Sequence, residues 1–304
     1  MGVTLATGFL GLELVNPIWV ASGTAGYGDE LARFFPLSRL GAFVSKTITP
    51  EPRPGHPPPR TAELTFGMLN AIGLANVGTE AFIRDKLPFL REAGTRIVVN
   101  VAGRNVDEFA SQAERIGTCE GVDMIELNLS CPNVDEGGME FSANPAASER
   151  TVRAAVDRCA LPVIAKLGPN VSDIGEIARG AEAGGARALS LINTLQGLAI
   201  DIWHRKPRIT FGMGGYSGPA IKPVALAMVH KAHRAVGIPI VGIGGVARVE
   251  DVVEFLMAGA TCVQVGTQTF VTPTTAPDIA GELESILDRL GVRTPAELVG
   301  TLEI

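Results

Sequence analysis

Two lysines, three asparagines, a serine and a cysteine stand where apolar runs of this chain end: Ser22, Lys46, Asn100, Asn128, Cys131, Lys166 and Asn193. Burying a lysine or an amide without a partner costs on the order of several kcal/mol. Seven such residues, closing six different runs, therefore converge on something polar. Lys46 shares the parity of Val44, and Lys166 that of Ile164. If those faces line the inside of a closed sheet, both ammonium groups point toward its mouth. There they suit an anion or the electron-rich edge of a cofactor. Two other roles stay open. One is an ion pair, with Glu126, on the parity of Asn128, as partner. The other is Schiff-base chemistry, because burial depresses a lysine pKa.

Cys131 lies in ELNLSCPN (126–133), directly after an apolar run and before Pro132. A thiol with a pKa of about 8.5 needs little tuning to act as a base or nucleophile near neutrality. The alternative is a small buried hydrophobe. Cys119, Cys159 and Cys262 sit at helix ends or strand starts and read as structural. The four cysteines form no C-x-x-C pair, so neither a zinc ribbon nor an iron–sulfur run is visible. His56, His204, His230 and His233 show no metal-ligand spacing. Two glycine-rich turns remain, Gly242-Ile243-Gly244-Gly245 and Val265-Gly266-Thr267. Close backbone approach at such turns lets N–H groups bind a phosphate. GIGGVA (242–247) also satisfies G-x-G-x-x-A, but no acid for ribose hydroxyls ends the next strand, which weighs against a dinucleotide fold.

Elements that could position these residues alternate regularly. Strands are expected near 17–23, 42–47, 96–103, 124–131, 162–168, 188–194, 239–245 and 262–270, as continuous apolar runs suited to parallel strands covered on both faces. Helical patterns follow, for example at 82–94, 106–117 and 222–237. Eight strands each followed by a helix give an α/β fold, a (β/α)8 TIM barrel, with a doubly wound sheet as the alternative. No composition break divides residues 1–304, so one domain is expected. Three long connections, 48–81, 132–145 and 195–221, leave the C-terminal ends of strands 2, 4 and 6, the face where barrel sites sit. The first carries PEPRPGHPPPR (50–60), which reads either as a polyproline ligand or as a stiffened loop edge.

Composition narrows the class. The 304 residues are 46% hydrophobic and 19% charged, enough for a large core and unlike a disordered chain. A net charge of −6 argues against nucleic acid as the default partner. The N-terminus has no signal-peptide pattern and no stretch is apolar enough to span a membrane, so a soluble cytoplasmic protein is expected.

Taken in order, NPIWVASGTAGYG (16–28), SKTITPEPRPGHPPPR (45–60), GMLNAIGLAN (67–76), ELNLSCPN, AKLGPN (165–170), LINT (191–194), GGYSGPAIKP (214–223), GIGGV (242–246) and QVGT (264–267) resemble the dihydroorotate dehydrogenases. ELNLSCPN is shared with dihydropyrimidine dehydrogenase; SKTITPEPRPGHPPPR and NAIGL narrow the likeness. The resemblance implies a barrel that holds FMN above its strand ends and oxidises (S)-dihydroorotate to orotate in pyrimidine (UMP) biosynthesis. A general base, here Cys131, removes the C5 proton and hydride passes from C6 to flavin N5. It implies FMN contacts from Ser22, Lys46, Thr47, Asn100, Asn128, Lys166, Ile192, Gly218, Gly244, Gly245, Gly266 and Thr267. It implies substrate contacts from Lys46, Asn70, Ala71, Ile72, Gly73, Leu74, Asn128, Asn193 and Thr194. The proline loop and VDEGGMEFSAN (134–144) resemble class IB. In that class electrons reach NAD+ through a separate FAD and [2Fe-2S] subunit, and two copies of the chain form a homodimer within a heterotetramer. The fumarate-using class IA homodimer is the nearest alternative. Outside the family stand a Schiff-base aldolase or isomerase using Lys166 or Lys46, and a silent phosphate-binding barrel. Ala75 and Val77 depart from the Gln and Pro expected in that loop.

Overall fold

The computed structural model describes residues 2–130 and 141–303. Its centre is formed by the Val/Ile-rich runs, which become eight strands. They are β1 (Ile18–Val20), β2 (Ala42–Val44), β3 (Arg96–Val101), β4 (Met124–Asn128), β5 (Val163–Leu167), β6 (Ala188–Leu191), β7 (Ile240–Ile243) and β8 (Cys262–Val265). All are parallel, and β8 pairs back onto β1 through Val263 opposite Ile18, closing the ring. That closure excludes the doubly wound alternative and gives the (β/α)8 barrel. Each strand stops before the run predicted for it does. Of the polar residues at the run ends, Ser22, Lys46 and Asn193 leave the hydrogen-bonded ladder for the loops of the mouth, whereas Asn100, Asn128 and Lys166 stay within β3, β4 and β5.

Helices cover the ring: α1 (Thr79–Asp85), α2 (Val106–Gly117), α3 (Pro145–Val156), α4 (Ile174–Ala183), α5 (Lys222–His233), α6 (Val249–Met257) and α7 (Thr275–Leu290). Several begin at side-chain caps that satisfy free N–H groups. Asn105 accepts from the Glu108 amide (2.9 Å), Asn144 from Ala146 (2.8 Å) and Asp173 from Gly175 (2.8 Å). The helix expected over 82–94 is instead two short pieces, α1 and Leu87–Arg91. Pro88 stands in the first turn of the second piece, where its missing N–H costs nothing.

The inside of the ring is layered. Trp19, Val44, Val98, Met124, Ile164, Ala188, Val241 and Cys262 form an apolar floor from all eight strands. An antiparallel hairpin that the sequence pattern did not reveal, Thr7–Phe9 with Leu12–Leu14, closes the floor from below. Phe9 meets Trp19 edge-on, with ring centroids 5.1 Å apart. Two residues further along their strands come Asn100, Glu126, Lys166, Ser190 and Gln264, all buried. The strand period therefore turns the floor into a polar layer in one step.

The long connections are not loose. Parts of 48–81 and 195–221 pair into a four-stranded antiparallel sheet beside the mouth, in the order Leu195–Leu198, Met213–Ser217, Gly67–Asn70, Thr61–Leu64. The proline segment lies against its own chain. The Arg53 amide donates to the Asn76 carbonyl and the His56 amide to that of Ile72, both at 3.0 Å, while the His56 ring stacks on Phe211. This supports the loop-edge reading of that segment.

Because Phe9 seals the barrel floor and is nearly fully buried, Phe9→Ala is expected to cost about 3–5 kcal/mol. The check is a urea unfolding midpoint that falls at unchanged slope.

Candidate active site

Above the polar layer the C-terminal strand ends and the flanking sheet enclose a cavity of about 790 Å³. That lies within the range of about 300–1,000 Å³ that small-molecule and cofactor sites occupy. The walls come from every quarter of the mouth: Ser22 and Lys46 after β1 and β2, Asn128 at the end of β4, Lys166 on β5, and Ile192, Asn193 and Thr194 after β6. The sheet adds Asn70, Ile72 and Leu74, and the glycine turns add Gly218, Gly244, Gly245, Gly266 and Thr267, with Thr47 beside Lys46.

Among the residues singled out from sequence, Asn100, Ala71 and Gly73 do not line this cavity. Asn100 is fully buried one layer below it. Ala71 and Gly73 act behind the wall. The Ala71 amide donates to the Arg60 carbonyl (2.8 Å), and the Ala71 carbonyl meets His56 Nδ1 at 3.1 Å. Gly73 has φ +72°, and a Cβ there would come within 2.7 Å of the His56 main chain and ring. Cys131 lies outside the described residues; its neighbour Ser130 lines the cavity.

The polar walls are already partly oriented. Asn193 donates its amide to Asn128 Oδ1 (3.3 Å), and its own Oδ1 accepts from the Thr194 amide (2.8 Å). Asn70 is held by the Gly215 carbonyl (3.1 Å). The hydroxyls of Ser22 and Thr47 lie 3.2 Å apart, and Thr267 donates to Ser217 (2.7 Å). Half-burial pulls the Lys46 ammonium below the usual lysine range, opposed by the Glu30 carboxylate and reinforced by Arg60. Lys166 Nζ stands 3.8 Å from the buried Glu126 carboxylate, within ion-pair distance. This geometry matches the ion-pair reading of Lys166, with Glu126 as the partner.

Glycine is required at the far wall. Gly218, Gly244 and Gly245 have φ of +111°, +129° and +77°. A Cβ on Gly245 would lie 2.8 Å from the Lys222 amide nitrogen, and one on Gly218 2.6 Å from Gly67 Cα. Among the described residues, the amides of Gly244, Gly245, Gly266 and Thr267 donate no backbone hydrogen bond. Lys222 itself is committed to Asp251 and Glu254, each at 2.6 Å. An anion at this wall would thus be met by main-chain N–H groups, as at other glycine-rich phosphate turns.

Sequence comparison decides what this mouth belongs to. The family description that matches, Dihydroorotate dehydrogenase, covers residues 4–287. The chain belongs to the dihydroorotate dehydrogenase family. Its relatives include proteins named dihydroorotate dehydrogenase B (NAD(+)), catalytic subunit, over nearly their whole lengths. That of Alkaliphilus oremlandii is 48% identical over 302 residues, 99% of this chain and 98% of the relative. Those of Pelobacter propionicus (49% over 293 residues, 96% of each chain) and Listeria monocytogenes (48% over 294 residues, 97% of each) are similar.

Within this dihydroorotate dehydrogenase barrel, the unexpected Val77 has a visible consequence. Its amide donates to the Tyr27 hydroxyl at 3.3 Å, a bond that proline in its place could not make. Burial pushes the Tyr27 phenol up, the Val77 amide opposes that, and Glu30 adds to it. Burial likewise raises Cys119, Cys159 and, well above its ordinary value, Cys262. These thiols suit the structural role read for them from sequence. Sequence reasoning missed Ser190 and Gln264 in the polar layer. Their spacing, two residues beyond the floor positions Ala188 and Cys262, was the available signal.

Gly73→Ala forces a side chain into a left-handed turn against His56. It is expected to destabilise the protein by about 1–3 kcal/mol. It should also release the proline segment, seen as faster proteolysis between residues 50 and 60 at temperatures where the wild type resists.

Proposed function

We propose that this chain oxidises (S)-dihydroorotate to orotate, as an FMN-containing catalytic subunit whose electrons pass to NAD+ through a second subunit. The observation that carries this reading is the composition of one cavity, in which side-chain amides and two lysines face a wall of main-chain amides that donate no backbone hydrogen bond among the described residues. That set suits a flavin nucleotide. Its phosphate would meet the amides of Gly244, Gly245, Gly266 and Thr267, with Gly218 backing the turn. Ser22, Lys46, Thr47, Asn128, Lys166 and Ile192 line the rest, and Asn100 supports them from below through a buried Oδ1 that lacks a partner.

FMN, when bound, supplies a two-electron acceptor. The chain's own residues supply everything else in this reading. A pyrimidine ring presents imide and carbonyl groups, which the amides of Asn70, Asn128 and Asn193 can meet with donors and acceptors alike. Thr194 and the segment Ala71–Leu74, of which Ile72 and Leu74 reach the cavity, close that side. Lys46 meets the carboxylate, a charge-assisted contact. Cys131, next in sequence to the cavity residue Ser130, accepts the C5 proton as a thiolate.

The subunit arrangement rests on the names of the relatives, which couple "catalytic subunit" with NAD(+). In this reading residues 1–304 form one FMN barrel, an FAD and [2Fe-2S] subunit carries electrons onward, and two copies of each make a heterotetramer in the cytoplasm. Among the described residues, no helix is long and apolar enough to cross a membrane.

The test is an anaerobic visible spectrum of the purified chain. A flavin band is expected near roughly 450 nm, bleached by dihydroorotate and not restored by NAD+ alone. A colourless protein would overturn the cofactor, and rapid recovery with NAD+ alone would overturn the need for a partner. Cys131→Ala is expected to keep FMN and lose at least a hundredfold in the rate of bleaching at neutral pH, within the usual contribution of a general base of about 10²–10⁴. Near-wild-type bleaching in this variant would exclude Cys131 as the base.

A further inference from the structure

Beneath the cavity, Glu126 is fully buried at the centre of the barrel's polar layer. Its carboxylate gathers donors from three other strands: the Asn100 amide, the Ser190 hydroxyl (2.8 Å) and the Gln264 amide (3.1 Å). Lys166 Nζ stands a further step away at 3.8 Å and lines the cavity. The distances divide the four partners into two groups. Three neutral donors hold the carboxylate by hydrogen bonds. Lys166 is balanced in charge by Glu126 without spending a hydrogen on it, since 3.8 Å is beyond hydrogen-bond reach.

The layer is also polarised. Asn100 and Gln264 both turn their NH2 groups toward Glu126, and the opposite oxygens, Asn100 Oδ1 and Gln264 Oε1, are buried without partners. One carboxylate thus sets the direction of two amides. Stability alone is a weak reason for such a group, because a buried ion pair is often replaced by apolar residues at little or no cost. Its position under a cavity lysine gives it a different consequence. Interactions between charges are strong in a poorly hydrated interior. The negative charge of Glu126 therefore cancels much of the field that Lys166 projects into the cavity.

We propose that Glu126 is a positioning residue that orients Asn100 and limits the positive field of Lys166, and so lowers the reduction potential of the flavin; this rests on the flavin reading given above. Glu126→Gln separates charge from geometry. The amide keeps the length of the side chain, Ser190 can turn its hydroxyl to accept, and Gln264 can flip to present Oε1. What disappears is the negative charge. An electron acceptor above an uncompensated lysine takes up electrons more readily.

The experiment is the midpoint potential of the flavin bound to the full chain, measured anaerobically against reference dyes. In Glu126→Gln the ratio of reduced to oxidised flavin at a fixed potential is expected to rise about tenfold, a positive shift of about 30 mV for a two-electron couple. Glu126→Asp, which restores the charge, should return to within about threefold of wild type, or about 15 mV by the same conversion. A purely structural residue would lower the melting temperature and leave the potential alone. An unchanged or lower potential in Glu126→Gln overturns the proposal. If that variant does not fold, the same comparison is made with Lys166 removed. Lys166→Met/Glu126→Gln should then hold a higher potential than Lys166→Met, and equality overturns the proposal. A wild-type chain that takes no flavin would defeat the cofactor reading and this inference together, whereas bound flavin with an unmoved potential defeats this inference alone.

Discussion

A closed ring of parallel strands has no edge, and this single constraint sets the character of every inward position. Alternate side chains on each strand point into the ring, and each step of two residues climbs one layer toward the C-terminal mouth. Below, the layers are filled by Trp19, Val98, Ile164, Val241 and their neighbours, with Phe9 as the plug. One step higher the inward residues are Asn100, Glu126, Lys166, Ser190 and Gln264, and hydrogen bonds among them replace contact with water. The polarity of the mouth is built on an apolar floor only two residues away. The floor keeps water out of the layer above, so the charges and amides there act in a poorly hydrated setting.

The ring alone cannot close a pocket, because its mouth opens to solvent. The two long excursions complete it. Sequence-distant segments, 61–70 and 195–217, meet in one antiparallel sheet and bring Asn70 and Thr194 to the same wall. Small residues make that meeting possible. A Cβ on Gly215 would collide with Thr194, and one on Gly214 with the Asn70 carbonyl. Such glycines join the Asn70 and Thr194 side to the glycine turns on the opposite wall, where Gly218 and Gly245 approach one another through main-chain contacts. The site is therefore divided by chemistry. Side-chain amides and lysines lie toward the strand ends, and bare backbone lies toward β7 and β8.

Much of this was legible in the sequence because period-two patterning survives without knowledge of partners. The parity of Lys166 with Ile164, and of Glu126 with Asn128, suited inward-facing positions in a closed ring and offered Glu126 as one ion-pair partner for either lysine, and the structure pairs it with Lys166. The residue motifs brought most of the wall together, and α2 fell on its expected span. What the pattern could not give was pairing between distant segments. The sheet beside the mouth is made of short strands with exposed faces, and a run such as MGGYS (213–217) carries no alternation to mark it. The N-terminal hairpin escaped for the same reason, since three-residue strands are too short for periodicity. Asn100 was placed in the wall because a strand end resembles a mouth position from sequence. The closed ring, however, sets it level with Glu126, one layer down.

That displacement of one layer changes how the site should be understood. Residues that line the cavity are only the upper half of the arrangement, and Lys166 joins them to the layer below. Asn128 and Lys166 reach the cavity from the two neighbouring strands β4 and β5, in register opposite one another. Both strands also carry the buried layer, through Glu126 and Lys166 itself. A side chain in the mouth can be exchanged at the cost of its own contacts. A change at Glu126 reaches Asn100, Ser190, Gln264 and Lys166 together, across five strands of the ring. Coupling of this kind follows from sharing one acceptor among several donors, and it makes the buried carboxylate the common partner of the layer beneath the mouth.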